Sequence, residues 1–213
     1  MMFYLEKIPK MHLDLLKEIG NIGAGHAATA LSSLLNKKID MNVPNVRVIS
    51  FNEMMDLAGG AENVVACVFF RIEGDAPGSM YFILSLEQSE RFIRQITGYS
   101  GFSIDAVSDS DMAMSALQEV GNIMAGSYLS SLSDFTHLNL FPTVPSLSIE
   151  MAGAIISAGL LELSKVGDFA IVIDTKFMEV EQQLHSINGH FFLLPDPDSF
   201  ETIFAALGIN PNE

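Results

Sequence analysis

Apolar residues at Leu15, Ile19 and Ile22, and onward to Leu31 and Leu35, recur at the three- and four-residue spacing of a helix. They predict a long helix over about residues 12–36. The pattern then changes. IDMNVPNVRVIS is rich in β-branched residues and predicts an extended strand. FNEMMDLAGG reads as a short helix that stops at glycine. NVVACVFFRIEGDAPGSMYFILSL predicts a hairpin turning at Asp75-Ala76-Pro77-Gly78, and EQSERFIRQITG closes the series as a helix with Gly98 as its stop signal.

The second half runs through the same order. A helix is expected over about 109–134, an extended segment through HLNLFPTVPSLSIE, and a helix over MAGAIISAGLLEL. A hairpin over DFAIVIDTKFMEVEQQLHSINGHFFLLP and a last helix, DSFETIFAALG, complete it. The acidic DPDSFE reads as that helix's N-terminus, with Ser199 or Asp198 as cap. The residues repeat as well as the pattern. Leu16, Glu18, Gly20, Asn21, Ile22, Ala24 and Gly25 recur 101 positions on as Leu117, Glu119, Gly121, Asn122, Ile123, Ala125 and Gly126, and Pro44 recurs as Pro145. Such a repeat is read before any motif, because it decides the fold. We expect one domain over 1–213, built of a first repeat at 12–98, a linker at 99–108 and a second repeat at 109–208. One hairpin plus one strand is too small to cover a core alone. The strands of both halves should therefore share one mostly antiparallel sheet. The fold class is α/β of the α+β type, with internal pseudo-two-fold symmetry and two long helices carrying the repeated motif.

Composition narrows the partners. The 213 residues are 49% hydrophobic and 17% charged, ample for a core. A formal net charge of −15 argues against sequence-independent nucleic-acid binding and against an anionic membrane surface. A single cysteine, Cys67 in an apolar run, excludes an internal disulfide and a cysteine-rich zinc site, and reads as a buried small hydrophobe. MMFYLEKIPK lacks the apolar core of a signal peptide, and no apolar stretch is long enough to span a bilayer. A cytoplasmic location is expected.

The repeated block, KEIGNIGAG and QEVGNIMAG, raises the question of chemistry. Asp14, Glu18, Asn21 and Gly25 follow at steps of four, three and four, so they share one helix face; Ser115, Glu119, Asn122 and Gly126 do the same. Leu15, Ile19 and Ile22 should turn to the core. Glycines and alanines leave the helix narrow, open to close approach by a neighbouring helix or a partner's loop. Glu and Asn on a helix face can be simply a solvated face, duplicated with its packing. They can also act. A carboxamide is neither nucleophile nor base, but it holds donors and an acceptor in fixed geometry. It can orient a water toward phosphorus, as the glutamine of small GTPases does. A glutamate can dock a partner's lysine or arginine. No phosphate-binding glycine loop, zinc-type histidine pair or nucleophile elbow is present.

The doubled pattern Asp/Ser-x3-Glu-x2-Asn-x22-Pro, at Asp14, Glu18, Asn21, Pro44 and again at Ser115, Glu119, Asn122, Pro145, resembles the CheC family of chemotaxis phosphatases, in the CheC/CheX/FliY group. LSIEMAGAII adds to the likeness, which covers almost the whole chain. The resemblance implies hydrolysis of the aspartyl phosphate of the response regulator CheY. It implies that Asn21 and Asn122 orient the attacking water while Glu18 and Glu119 dock the regulator's lysine. It implies that no cofactor is bound by this chain, Mg²⁺ being supplied by the regulator, and that the receptor deamidase CheD is a second partner that raises activity. Asp14 and Ser115 are motif positions without a derivable role; Pro44 and Pro145 read as structural. FliY-like members add a flagellar-switch domain, for which no room is expected after Gly208. A non-catalytic module that sequesters phosphorylated CheY or regulates CheD is the alternative reading.

Other residues carry less. His12, His26, His137, His185 and His190 show no ligand spacing. Met54 and Met55 read as core filling. MAGAIISAGLLEL is apolar enough to dock a partner, or to be core. Gly23 against Met124, beside the two asparagines, is a reason to expect unequal sites without saying which is stronger.

Overall fold

The computed structural model describes residues 9–98, 111–163, 169–179 and 187–208; the expected linker at 99–108 lies outside them. Its elements are α1 (Lys10–Leu35), β1 (Ile39–Ser50), α2 (Phe51–Leu57), β2 (Val64–Gly74), β3 (Gly78–Ser85), α3 (Leu86–Thr97), α4 (Asp111–Thr136), β4 (Leu140–Pro142), β5 (Ser146–Met151), α5 (Ala152–Leu163), β6 (Phe169–Glu179), β7 (Ile187–Pro195) and α6 (Pro197–Ala206). The element ends follow local chemistry. α2 begins at a reciprocal cap, in which the Ser50 side chain accepts from Glu53 N–H and Glu53 reaches back to Ser50 N–H. α3 stops at Gly98, in the left-handed conformation that glycine adopts freely. The cap of α6 lies two residues before Asp198, the nearer of the expected caps. Asp196 is its N-cap position and Pro197 opens it, because proline fits a first turn that needs no N–H donor. The Asp196 carboxylate instead accepts from Arg71 on β2.

All seven strands form one sheet in the order β1-β6-β7-β3-β2-β4, with β5 continuing beside β2, and every pairing is antiparallel. The two halves exchange their first strands. β1 pairs with β6 of the second half, while β4 and β5 pair with β2 of the first. β3 and β7 join the halves at the centre. The extended segment expected over 137–150 is broken into β4 and β5, whereas its counterpart β1 is continuous.

One sheet face carries the larger core. Leu16, Ile19 and Leu31 of α1, Phe92 and Ile93 of α3, Leu117 and Tyr128 of α4, and Ile203 and Phe204 of α6 meet Phe70, Phe82, Ile173 and Phe191 from the strands. The other face is covered by α2 and α5, through Met54, Ala152 and Ile156 on Cys67, Ile83, Val172 and Phe192. Ala152 and Ile156 of MAGAIISAGLLEL are thus core, while Met151 is exposed. Cys67 is buried, and burial pushes its thiol well above the ordinary value, so it is inert. Among the described residues no helix is long and apolar enough to cross a membrane.

Candidate functional site

The sheet dictates which way α1 presents its motif. Leu16, Ile19, Gly20, Gly23, Ala24 and Ala27 are buried, while Asp14, Glu18 and Gly25 are exposed and Asn21 sits at the border. The core stripe is therefore turned slightly from the one expected. Leu16 takes the inner position, and Leu15 and Ile22 are only half-buried. The reason is that small residues form much of this contact, and they weigh little in a pattern read from large ones. On α4, Leu117, Val120, Gly121, Met124, Ala125 and Tyr128 are inside, and Ser115, Glu119 and Asn122 are exposed.

The glycines serve three different contacts. A Cβ on Gly23 would lie 2.8 Å from the Tyr128 ring and 3.0 Å from its Cα, so this glycine lets α1 and α4 touch backbone to side chain. Gly20 lies under Val43 of β1, and Gly121 under Val68 of β2. Gly25 and Gly126 face open space. Gly23 and its counterpart Met124 are both buried, so their difference shapes packing between elements rather than the polar edge.

Pro44 and Pro145 occupy equivalent bulges on the two outer strands. Asn42 and Asn45 of β1 pair with Lys176 and Asp174, leaving Val43 and Pro44 opposite Thr175 alone. Between β4 and β5 the pairing passes from Ile72 opposite Pro142 to Phe69 opposite Ser146, with Thr143 bonded to Arg71. Val144 and Pro145 are left opposite Phe70. Two residues against one is the geometry of a bulge, and proline is tolerated there because no ladder N–H is needed.

The two bulges meet their helices differently. At the first, the Asn21 carboxamide donates to Lys17 O at 3.0 Å and to Val43 O at 3.2 Å, and accepts from Val43 N–H at 2.9 Å. This two-way clamp satisfies the bulge backbone and seals the Val43 side chain, 1% exposed, against α1. At the second, the Asn122 carboxamide forms no hydrogen bond among the described residues and is exposed. Gln118, one turn earlier, holds the bulge instead, donating to Pro145 O at 3.2 Å. Val144, the same residue at the same repeat position, is 90% exposed. An open cleft of about 430 Å³ results, lined by Ser115, Gln118, Glu119, Asn122, Pro142, Thr143, Val144 and Pro145. The structure thus brings Ser115, Glu119, Asn122 and Pro145 together around one space. At the first site Asn21 is joined to the Val43–Pro44 bulge and Glu18 stays outside.

Ion pairing separates the edges further. Arg47, three residues past Pro44, reaches Asp174 on β6 at 3.3 Å, and His190 Nδ1 on β7 lies 2.8 Å from the same carboxylate. Burial works against the Asp174 charge, but His190 and Arg47 together hold its carboxyl below the ordinary value. Asp174 and His190 are cross-strand partners in the second hairpin; the first hairpin has the aromatic pair Phe69 and Tyr81, ring centres 5.0 Å apart. Across the sheet the place of Arg47 is taken by Ser148. Gln118, Thr143 and Val144 were not legible as site residues. The one available signal was the repeated Val-Pro dipeptide, 101 positions apart.

A cleft holding an exposed carboxylate and an unengaged carboxamide offers one hydrogen-bonding anchor for a cation and one orienting group for water. His26 is exposed, and among the described residues no group of three or more His, Cys, Asp or Glu side chains could hold a metal ion.

Comparison with known proteins bears on both motifs. A family model described as CheC-like matches residues 11–48 and again 112–149. The CheY-P phosphatase CheC of Bacillus subtilis (strain 168) is 51% identical over 201 residues, 94% of this chain and 96% of that protein. The flagellar motor switch phosphatase FliY of the same organism is 36% identical over 131 residues, 61% of this chain and 33% of FliY. In structure, the FliY of Thermotoga maritima matches with a TM-score of 0.73 at 20% identity, over 94% of this chain and 98% of that one, a likeness of fold.

Proposed function

The chain belongs to the CheC family, and from that premise we propose that it hydrolyses the aspartyl phosphate of the response regulator CheY, with the second site as the one arranged to act. The observation that carries this ranking is the state of the two asparagines. Asn122 makes no hydrogen bond among the described residues and lies in an open cleft beside Glu119, whereas Asn21 donates to two backbone carbonyls and accepts from the Val43 N–H.

The chemistry asks little of the phosphatase. Water attacks phosphorus in line, an O–P bond forms, the bond to the regulator's aspartyl oxygen breaks, and inorganic phosphate and a free carboxylate result. Positioning supplies most of the rate, because such a transition state is loose and its charge is spread over phosphoryl oxygens. Asn122 orients the water by accepting from it through Oδ1 and donating through Nδ2. Glu119 docks the regulator's lysine, which fixes the approach. The regulator carries the Mg²⁺. Glu18 and Asn21 take the same roles at the first site once Asn21 releases Val43. Asp14 and Ser115 flank the two motifs, and Pro44 and Pro145 maintain the bulges. Family membership supports CheD as the modulating partner.

The test follows the decay of phosphorylated CheY with wild type, Asn21→Ala, Asn122→Ala and the double variant, with and without CheD. Acceleration by wild type, its loss in Asn122→Ala and a further increase with CheD are expected. Full acceleration by the double variant rules out water positioning. Binding without acceleration, with or without CheD, supports a sequestering module instead.

A further inference from the structure

We propose that Val144 is the apolar anchor that seats the phosphorylated response regulator on the second site; this rests on the phosphatase reading above. Val43 and Val144 stand at equivalent positions of the repeat, in equivalent bulges, each just before the motif proline. Val43 is 1% exposed and Val144 is 90% exposed. A side chain that the first copy packs into its core is displayed by the second.

The display is held on both sides by three hydrogen bonds. Thr143 N–H donates to Arg71 O at 2.8 Å, Arg71 N–H donates to Thr143 Oγ1 at 3.0 Å, and Gln118 Nε2 donates to Pro145 O at 3.2 Å. Val144 is thus flanked by two pinned residues on a bulge, which lowers the entropy lost when a partner covers it. Isolated exposed valines are ordinary on protein surfaces. This one lines the same cleft as Glu119 and Asn122, on the wall opposite the helix. Its occupant is the folded regulator whose phosphate and lysine reach those two residues, because the cleft is continuous with the reacting edge. Apolar contact beside a polar hot spot excludes water from it. Val144 does not touch the reacting atoms. It sets how tightly the regulator is held, and Gln118 positions it.

The split between KM and kcat reads this out. Val144→Ser should raise the KM for phosphorylated regulator about tenfold, the scale of losing an anchor residue rather than an ordinary interface contact, with kcat unchanged within about twofold. Val144→Ile should keep the wild-type KM. Leu34→Ser, an exposed apolar residue at the end of α1, should change neither constant. Unchanged thermal midpoints show that the variants fold. A wild-type KM in Val144→Ser overturns the proposal. So does a lower KM or a faster turnover, the result if Val144 closes the cleft from inside as Val43 does in the first copy. If wild type fails to accelerate phosphate loss, or Asn122→Ala acts like wild type, the phosphatase reading falls and this proposal with it. The first pair of outcomes leaves that reading intact.

Discussion

The first copy of the motif ends in a clamp and the second in a cleft, although the two helices share the same Glu, Asn, Gly and Ala spacing. At the first, Asn21 spends its carboxamide on the Val43 backbone, Val43 fills the space beneath, and Arg47 with Asp174 and His190 ties the edge strand to its neighbours. At the second, Gln118 takes over the bulge, the edge strand is split into β4 and β5, and Asn122 has no hydrogen-bond partner among the described residues. The lesson is that a carboxamide can be a structural group or a reactive one, and its hydrogen-bond partners decide which. In the preceding turn the second copy has Gln118, whose amide reaches Pro145 O, where the first copy has Lys17.

The sharpest way to break this comparison is to remove each asparagine in turn. Asn122→Ala should lower turnover about a hundredfold, the scale of a lost positioning group, with stability within about 0.5 kcal/mol of wild type. Asn21→Ala should do the reverse. It leaves the Val43 amide without its partner and should cost about 1–3 kcal/mol in denaturant unfolding, with turnover changed less than about threefold. Equal losses of activity in the two variants would mean that the clamp opens readily and the sites are equivalent.

The glycines offer a second contrast. Gly23→Ala forces a methyl onto Tyr128 and should destabilise by about 1–3 kcal/mol, read in the same unfolding curves. Gly126→Ala meets nothing and should stabilise by up to about 1 kcal/mol. If Gly126→Ala also raises the KM for phosphorylated CheY while stabilising the fold, the open glycine serves the approach of the partner.

The smallest effect concerns pH. Asp174 is held below its ordinary value in the folded chain, so its ionised form favours folding at pH values above the unfolded carboxyl's range. That contribution fades as pH falls through the unfolded value toward the folded one. Asp174→Asn should flatten the stability curve over this acid window only. The group is partly solvated, so the change will be modest. If the curves of the two proteins coincide through that window, the ion pairs do not distinguish the two edges.

Much of this was legible before any coordinates. The β1 boundaries follow from its β-branched run, the hairpin turn from Asp75-Ala76-Pro77, and α3's end from Gly98. Periodicity and turn chemistry are local, and local signals survive in a single sequence. The helix stripes holding Glu18 and Glu119 were equally clear. What stayed hidden was long-range. Asn21 finds its partner 22 residues away, on a strand whose register nothing in the helix specifies. Identical valines receive opposite burial in bulges that are held by different side chains, Asn21 in one and Gln118 in the other. Leu16 displaced Leu15 from the core because glycines and alanines, silent in a hydrophobic pattern, form most of the buried face.

The strand exchange has a consequence for how the protein comes into being. Arg47 and Asp174, which join β1 to β6, lie 127 residues apart. Contacts of such sequence separation form late, since the chain must close a long loop before they contribute. During synthesis the first motif emerges well before the strand that completes its edge, and the second motif's edge rests on a strand made earlier. Neither site can be finished until most of the chain has left the ribosome. The second edge draws only on strands made by Met151, whereas the first waits for β6, so the two edges would be completed in the reverse of their order along the chain.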